Sequence, residues 1–240
     1  MGSSRVPGKT MLPIFENLAL LECVVRRFRM TTKVNEVVVA TTVERRDDVI
    51  ANWCEMNSVA LFRGSENDVL DRVASAASLH GADVVVQMGA DSAYLDFDLI
   101  DQLVDVYARG EYDFVCNTLQ LTYPLGIYGH IVRAEALFDI NKRSDLTIFE
   151  RTDVTRYIWE HPALYRLLNV RAPEAFTHPE LRLTVDYPED VEQARNVYRH
   201  FGGYRFTTAQ VLQLYRSNPD VFAKTRGLTQ HSAPHLKIAH

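Results

Sequence analysis

A chain of 240 residues, 47% hydrophobic and 24% charged, is long enough to bury the core of one α/β domain with a small appendage, and its composition is that of an ordinary globular protein. Its formal net charge of -5 excludes a generic nucleic-acid surface, so any anionic ligand has to be gripped locally. Cys23, Cys54 and Cys116 are scattered, odd in number and without Cys-x-x-Cys spacing, which points to reduced thiols in a cytoplasmic setting; neither a signal peptide nor an apolar run of membrane-spanning length is read.

The chain opens on Gly2-Ser3-Ser4-Arg5-Val6-Pro7-Gly8-Lys9, which reads as a loop for nucleotide phosphates. Gly2 and Gly8 let backbone N–H groups approach an anion, Ser3 and Ser4 add hydroxyl donors, and Arg5 and Lys9 bring positive charge. The spacing is neither a Walker loop nor Gly-x-Gly-x-x-Gly, and the alternative is a flexible start or an expression scar. Short β-branched runs then alternate with helical patterns, the signature of βα units around a largely parallel sheet. A strand is expected at 37–40, a helix at 47–57 and a strand at 59–62. Ser65 is the expected N-cap of a helix over 66–80, whose inner face is Val69, Leu70, Val73, Ala76 and Ala77. Gly81 closes it, and Asp83-Val84-Val85-Val86 reads as a central strand. A helix follows over 98–108 and a strand over 114–116. The pattern loosens over 118–141, apart from a short strand at Ile131-Val132, as in an excursion from the sheet. Helices are expected over 152–159 and 188–201, the second with Pro188 in its first turn, and a strand over 181–186. An amphipathic segment over 208–215 precedes a polar tail whose His231, His235 and His240 lack metal-ligand spacing and read as solvated. These patterns divide the chain into a domain over 1–201 and a C-terminal extension over 202–240.

Ligands of open α/β sheets bind beyond the carboxyl ends of the strands. Three polar clusters fall there: Thr41-Thr42, the stretch from Gln87 to Ser92, and Asp186. Asp91 and Asp186 at two strand ends could share one cleft and hold Mg²⁺, a hard ion that takes one or two carboxylates plus phosphate and water oxygens. It would offset the charge of a triphosphate and its departing pyrophosphate. The alternative is that Asp91 caps a turn and Asp186 the helix near Pro188. Arg63-Gly64-Ser65-Glu66-Asn67-Asp68 opens a helix where N–H groups favour an anion or a polar base edge. Asp96-Phe97-Asp98 has the Asp-x-Asp form of a glycosyltransferase metal site, but its place at a helix start suits an N-cap.

Several of these blocks, taken in order, resemble the acylneuraminate cytidylyltransferase family and in particular its spore-coat-polysaccharide branch. They are Gly-Ser-Ser-Arg-Val-Pro-Gly-Lys at 2–9, Val-Val-Val-Ala-Thr-Thr at 37–42, Phe-Arg-Gly-Ser-Glu-Asn-Asp-Val-Leu-Asp-Arg at 62–72 and Asn-Thr at 117–118. Tyr-Pro at 123–124, Glu150-Arg151, Val154-Thr155 and Leu-Arg-Leu-Thr-Val-Asp-Tyr-Pro-Glu-Asp at 181–190 continue the register, so the resemblance spans about residues 1–201. It implies a Rossmann-like, GT-A-like nucleotidyltransferase fold, a three-layer α/β sandwich with a mostly parallel sheet. It also implies transfer of CMP from CTP to a hydroxyl of an acidic sugar, with Mg²⁺ and release of pyrophosphate, for a surface glycan. By position Gly2, Ser3, Ser4, Arg5 and Lys9 would hold the triphosphate, with Arg5, Lys9 and Asp91 catalytic. Thr41, Arg63 and Gln87 would lie on the nucleotide, Tyr123, His130 and Arg182 on the sugar side, and Asp91 and Asp186 on the metal. For Arg182 a structural place in a strand is the alternative, and for His130 a structural place near a turn. Relatives dimerise through the segment equivalent to 118–153, so a homodimer is implied, with no nucleic-acid or membrane partner.

Three departures from the family pattern stand out. Relatives begin with a strand ending in Ala-Arg just before the position of Met1, so the sheet is expected to lack its first strand and the chain to start upstream or to be truncated. Gln87-Met88-Gly89-Ala90-Asp91-Ser92-Ala93 stands where relatives have Arg-x-Thr-Gly-Asp-Cys-Pro, and Tyr128-Gly129-His130 where many have Asp-x-Glu. These departures leave a catalytically impaired nucleotide-binding paralogue as an alternative, and Asp96-Phe97-Asp98 leaves a metal-dependent glycosyltransferase.

Overall fold

Successive side chains of the central strands enter different cores, and this alternation sets the layers. The computed structural model describes residues 2, 5–228 and 237–238. A short hairpin, β1 (Pro13–Phe15) and β2 (Leu18–Ala19), leads into helix α1 (Leu20–Phe28). The βα units follow as β3 (Val38–Thr42), α2 (Asp48–Met56), β4 (Ala60–Gly64), α3 (Val69–Leu79), β5 (Val84–Gln87), α4 (Phe97–Tyr107) and β6 (Phe114–Cys116). Then come β7 (Gln120–Leu121), β8 (His130–Arg133), α5 (Ala134–Asn141), α6 (Ile148–Thr152), α7 (Arg156–Glu160) and β9 (Leu167–Asn169). Helices α8 (Pro188–Phe201) and α9 (Thr208–Ser217) and strand β10 (Lys237–Ile238), which pairs with β7, complete the order.

In the four-stranded sheet β5-β8-β6-β9, Val115, Ile131 and Val86 face a core built with α1, α4, α8 and α9, whereas Phe114, Cys116, Val132 and Val85 face one built with α3, α5 and α7. Helices therefore cover both faces, as a period of two on a doubly buried sheet requires. The sheet is mixed, which corrects the largely parallel arrangement expected from the sequence. β8 runs antiparallel to both β5 and β6, with Gln87 opposite His130 and Cys116 opposite His130, and only β6 and β9 are parallel. The reason is local: the excursion after β6 brings the chain back without a crossover helix, so its return strand must be antiparallel. β3 and β4 form a separate parallel pair, and no ladder joins them to the larger sheet among the described residues.

No element is expected from the sequence between residues 10 and 36, yet α1 is central. Leu20, Cys23, Val24 and Phe28 enter the main core, while Leu21 and Val25 pack on Ile50, Trp53, Cys54 and Val59. Arg27 of the same helix is fully buried and donates to the carbonyls of Leu95, Tyr204 and Phe206, tying three segments together. The helical extension after residue 201 packs into this main core through Phe206, Val211, Leu212 and Phe222. Helix α3 begins at Val69, three residues after the expected start. Asp68 accepts from the Asp71 N–H as its N-cap, and Ser65 closes the preceding turn with the N–H groups of Asn67 and Asp68. The expected helix over 152–159 is two short helices, α6 and α7, broken at Asp153. Residues 181–186 form no strand. One parallel bridge pairs Leu125 with Arg182, through the Leu125 N–H to the Leu181 carbonyl at 2.9 Å and the Leu183 N–H to the Leu125 carbonyl at 2.7 Å, and at Gly126 (φ 102°) a Cβ would lie 2.3 Å from the Leu183 carbonyl oxygen, so only glycine allows this approach. Met1, Ser3, Ser4 and the tail histidines His231, His235 and His240 lie outside the described residues.

Candidate active site

The phosphate-loop candidate ends in a tight turn. The Lys9 N–H donates to the Val6 carbonyl and that of Met11 to Gly8, so Lys9 opens a short 3-10 turn with its side chain directed toward the ends of the buried segments. Its ammonium lies 2.6 Å from Asp91 Oδ2, 3.1 Å from Asp186 Oδ1 and 2.7 Å from the Val185 carbonyl oxygen. Arg5 adds a second cation 3.4 Å from Asp186 Oδ1, with its guanidinium over the Tyr187 ring at 4.9 Å. Burial works against the Lys9 charge, but Asp91 and then Asp186 outweigh it and raise its pKa above the ordinary lysine value.

Asp186 is held from behind. Asp190 at the start of α8 is wholly buried and accepts the Asp186 and Tyr187 N–H groups at 2.8 and 2.9 Å. It also takes the fork of Arg182, Nε at 2.8 Å and a terminal nitrogen at 2.8 Å, while Thr184 donates to Asp186 Oδ2 at 3.2 Å. The Asp186 carboxyl is thereby turned toward Lys9. Asp91 stands on a loop fixed by Tyr128, whose hydroxyl accepts the Gly89 N–H at 2.8 Å. Burial pushes the Tyr128 phenol up to about 12, so it keeps its proton. A Cβ on Gly89 would fall 2.5 Å from Asp91 Oδ1 and 3.0 Å from the Tyr128 hydroxyl, so only glycine lets the carboxylate and phenol close on this turn.

The structure brings Arg5, Lys9, Asp91 and Asp186 together. Gly2 lies beside the Arg46–Glu66 ion pair, so the loop also borders the β4–α3 connection. Thr41 is buried with its hydroxyl on Asp47 at 2.9 Å, an anchor for the turn after β3. Arg63 donates to the Thr42 and Glu44 carbonyls at 2.9 and 3.1 Å and pairs with Asp48 at 2.8 Å, bracing that turn. Gln87 ends β5 opposite His130. The three sugar-side candidates are buried. Tyr123 packs in the main core, and burial pushes its phenol up to about 12. His130 has its ring nitrogens within 2.9 Å of Thr118 Oγ1 and 3.2 Å of Thr155 Oγ1, and Arg182 is committed to Asp190 and Asp186. Asp96 caps α4 by accepting the Leu99 N–H at 2.9 Å, so the Asp-x-Asp pattern is spent on the helix start. The three cysteines are buried and unpaired, their thiols pushed up by burial, so none is an activated nucleophile.

A family model described as cytidylyltransferase matches residues 1–233. The chain belongs to the cytidylyltransferase family. It is 34% identical over 227 residues to the spore coat polysaccharide biosynthesis protein SpsF of Bacillus subtilis (strain 168), with 92% of each chain covered. It is 25% identical over 222 residues to the 8-amino-3,8-dideoxy-manno-octulosonate cytidylyltransferase of Shewanella amazonensis, over 87% of this chain and 85% of that one. Among solved structures, a cytidylyltransferase from Leptospira borgpetersenii serovar Hardjo-bovis superposes with a TM-score of 0.86 at 27% identity, covering 96% of this chain and 95% of that one. The architecture is accordingly the Rossmann-like α/β fold of nucleotidyltransferases, and no described helix is long and apolar enough to cross a membrane.

Asp190 and Tyr128 brace the candidate site, a part that the sequence reading did not assign to them. Asp190 had a signal, a carboxylate four residues after another at a helix start, whereas nothing in the spacing connects Tyr128 with Gly89.

Proposed function

We propose that the chain is a CTP-dependent cytidylyltransferase that transfers CMP to a hydroxyl of an acidic sugar, with Mg²⁺ and release of pyrophosphate, in the making of a surface glycan. The observation that carries this reading is the convergence of Asp91 and Asp186 on one cation, beside Arg5 and a phosphate-type loop. Two carboxylates and a carbonyl oxygen are a hard donor set that already surrounds a positive charge, which fits Mg²⁺. When bound, the ion supplies neutralisation for the triphosphate and for the departing pyrophosphate.

The rest falls to the chain's own residues. Gly2, Ser3, Ser4, Arg5 and Lys9 grip the phosphates, the cations acting where charge develops on the leaving group. Thr41, Arg63 and Gln87, near the ends of β3, β4 and β5, are the further nucleotide contacts, with the Thr41 hydroxyl anchored on Asp47. The octulosonate in the name of the Shewanella relative supports an acidic acceptor, and the polysaccharide in the name of the Bacillus relative supports a glycan product. The exposed Ile148 and Phe149 of α6 support a homodimer formed through residues 118–153, to be checked by sedimentation of the Phe149→Asp variant. β3 and β5 each keep one edge without a ladder partner among the described residues, which supports reading the two sheets as parts of one sheet that lacks a strand between them. The unpaired thiols fit a reducing cytoplasm.

Pyrophosphate release from CTP and Mg²⁺ across a panel of acidic sugars tests the reading. Turnover with at least one sugar is expected, abolished by Asp91→Asn in a protein that stays folded. Release from no nucleoside triphosphate, by protein shown to be folded, would overturn it. Gln87, uncharged, favours one second reading, an impaired paralogue, which calorimetry would reveal as CTP binding without turnover.

A further inference from the structure

The carboxylate seat is filled by the protein itself. An ammonium has three N–H donors and Lys9 has three acceptors around it, Asp91, Asp186 and the Val185 carbonyl. A lysine saturated in this way is not available to a triphosphate, yet without it two carboxylates would face each other in a partly buried cleft with less positive charge between them. Both facts are satisfied if the ammonium has two places. We propose that Lys9 is a tethered cation that fills the Asp91–Asp186 seat in the empty protein and is released from it by a divalent ion, so that metal entry and presentation of Lys9 to the nucleotide phosphates are one exchange. This rests on the proposed reading of Asp91 and Asp186 as the metal seat. Its consequence is linkage: the ion alone must displace Lys9 and binds weakly, whereas a triphosphate gives the displaced ammonium a new partner and tightens the ion, and the ion tightens the triphosphate equally.

The test uses Mn²⁺ as the probe and reads binding, not turnover. The chain has five lysines, of which Lys142 is 75% exposed and serves as an internal standard. Competitive acetylation followed by mass spectrometry is expected to find Lys9 protected relative to Lys142 in the metal-free protein, and saturating Mn²⁺ is expected to raise Lys9 labelling while Lys142 stays constant. Electron paramagnetic resonance of free Mn²⁺ is expected to show Lys9→Met binding the ion on the order of tenfold more tightly than wild type, the exchange of one charge-assisted contact. Arg5→Met removes an equal charge from Asp186 without vacating the seat and is expected to change affinity far less. Equal effects of the two substitutions would reduce the result to net charge and overturn the inference. So would Mn²⁺ binding that Asp91→Asn abolishes but that leaves Lys9 labelling unchanged, and in that case the metal seat stands. If Asp91→Asn binds Mn²⁺ as wild type does, the metal seat itself fails and the inference falls with it.

Discussion

Asp190 touches no proposed ligand, yet the geometry of the carboxylate seat depends on it. Its two oxygens accept four hydrogen bonds: two from the Arg182 fork, one from the Asp186 N–H and one from the Tyr187 N–H. Arg182 is 4% exposed and Asp190 wholly buried, so this is an ion pair taken out of water. Asp190→Ala strips the guanidinium of its bidentate partner and leaves two amides short of an acceptor. Breaking such a pair from one side costs about 3–5 kcal/mol. For a chain of this size, each kcal/mol moves the melting midpoint by roughly 2–4 °C, so a fall of roughly 6–20 °C is expected in calorimetry. Asp190→Asn keeps the volume but turns an amide N–H₂ toward incoming donors, and its loss is expected to be nearly as large. A cycle with Arg182→Met separates pair from packing. If the fork is the main term, Arg182→Met with Asp190→Leu loses clearly less than the sum of the single changes. A loss under about 1 kcal/mol for Asp190→Ala would refute the reasoning, because a network worth that little cannot be what orients Asp186.

Three further outcomes are expected. Arg27→Met leaves the buried Leu95 and Phe206 carbonyls and the part-buried Tyr204 carbonyl without their donor and is expected to cost at least about 2 kcal/mol in urea unfolding, while CTP binding by the refolded protein is retained. Gly89→Ala forces the Asp91 carboxylate off its position, so pyrophosphate release should fall more than tenfold, on the order of a misplaced catalytic group, with a small change in melting temperature. Burial pushes Cys54 from 9.0 up to about 11 and Cys23 up to about 12. Between pH 9 and about 11 the unfolded chain therefore holds fewer protons than the folded one, and stability falls as pH rises through that window. Urea midpoints in this range should decline less steeply in Cys54→Ala, and a thiol reagent at pH 8 should label the cysteines only after unfolding.

The βα units were legible because each carries a period of its own. The run Val84-Val85-Val86 has no polar residue and reads as a strand, which β5 is, although among the described residues it stands at one end of the four-stranded sheet with Val84 exposed and is not central as expected, and Pro188 with Phe201 bounds α8 as the pattern predicts. Helix α1 was equally periodic, with Leu20, Leu21, Val24, Val25 and Phe28 on its buried sides, but Arg26 and Arg27 break the apolar impression and the second of these is itself buried. Where the sequence misled, distant backbone decided. Leu181 to Val185 has strand chemistry but, among the described residues, pairs only through the single Leu125–Arg182 bridge, and β8 is antiparallel because of what the excursion does, not because of its own residues.

The site divides along the same line. Arg5, Lys9, Asp91 and Asp186 could be named from chemistry, because an anion needs cations and a hard cation needs carboxylates. For Arg182 and His130 charge and imidazole suggest substrate while a structural place is the alternative, and the burial that bears on the choice belongs to the fold. Arg182 lies 3.4 Å from Asp186 and shares Asp190 with it, so it reaches the chemistry through another carboxylate. His130 stands directly opposite Gln87 but turns its ring to Thr118 and Thr155, which makes it a spacer between β8 and the excursion. The seat is thus built in two shells of opposite legibility. The groups proposed to meet a ligand carry its complementary charge and so declare themselves in sequence. The groups that aim them, Asp190, Tyr128 and Gly89, need only the right distance, and distance is what a single sequence leaves unwritten.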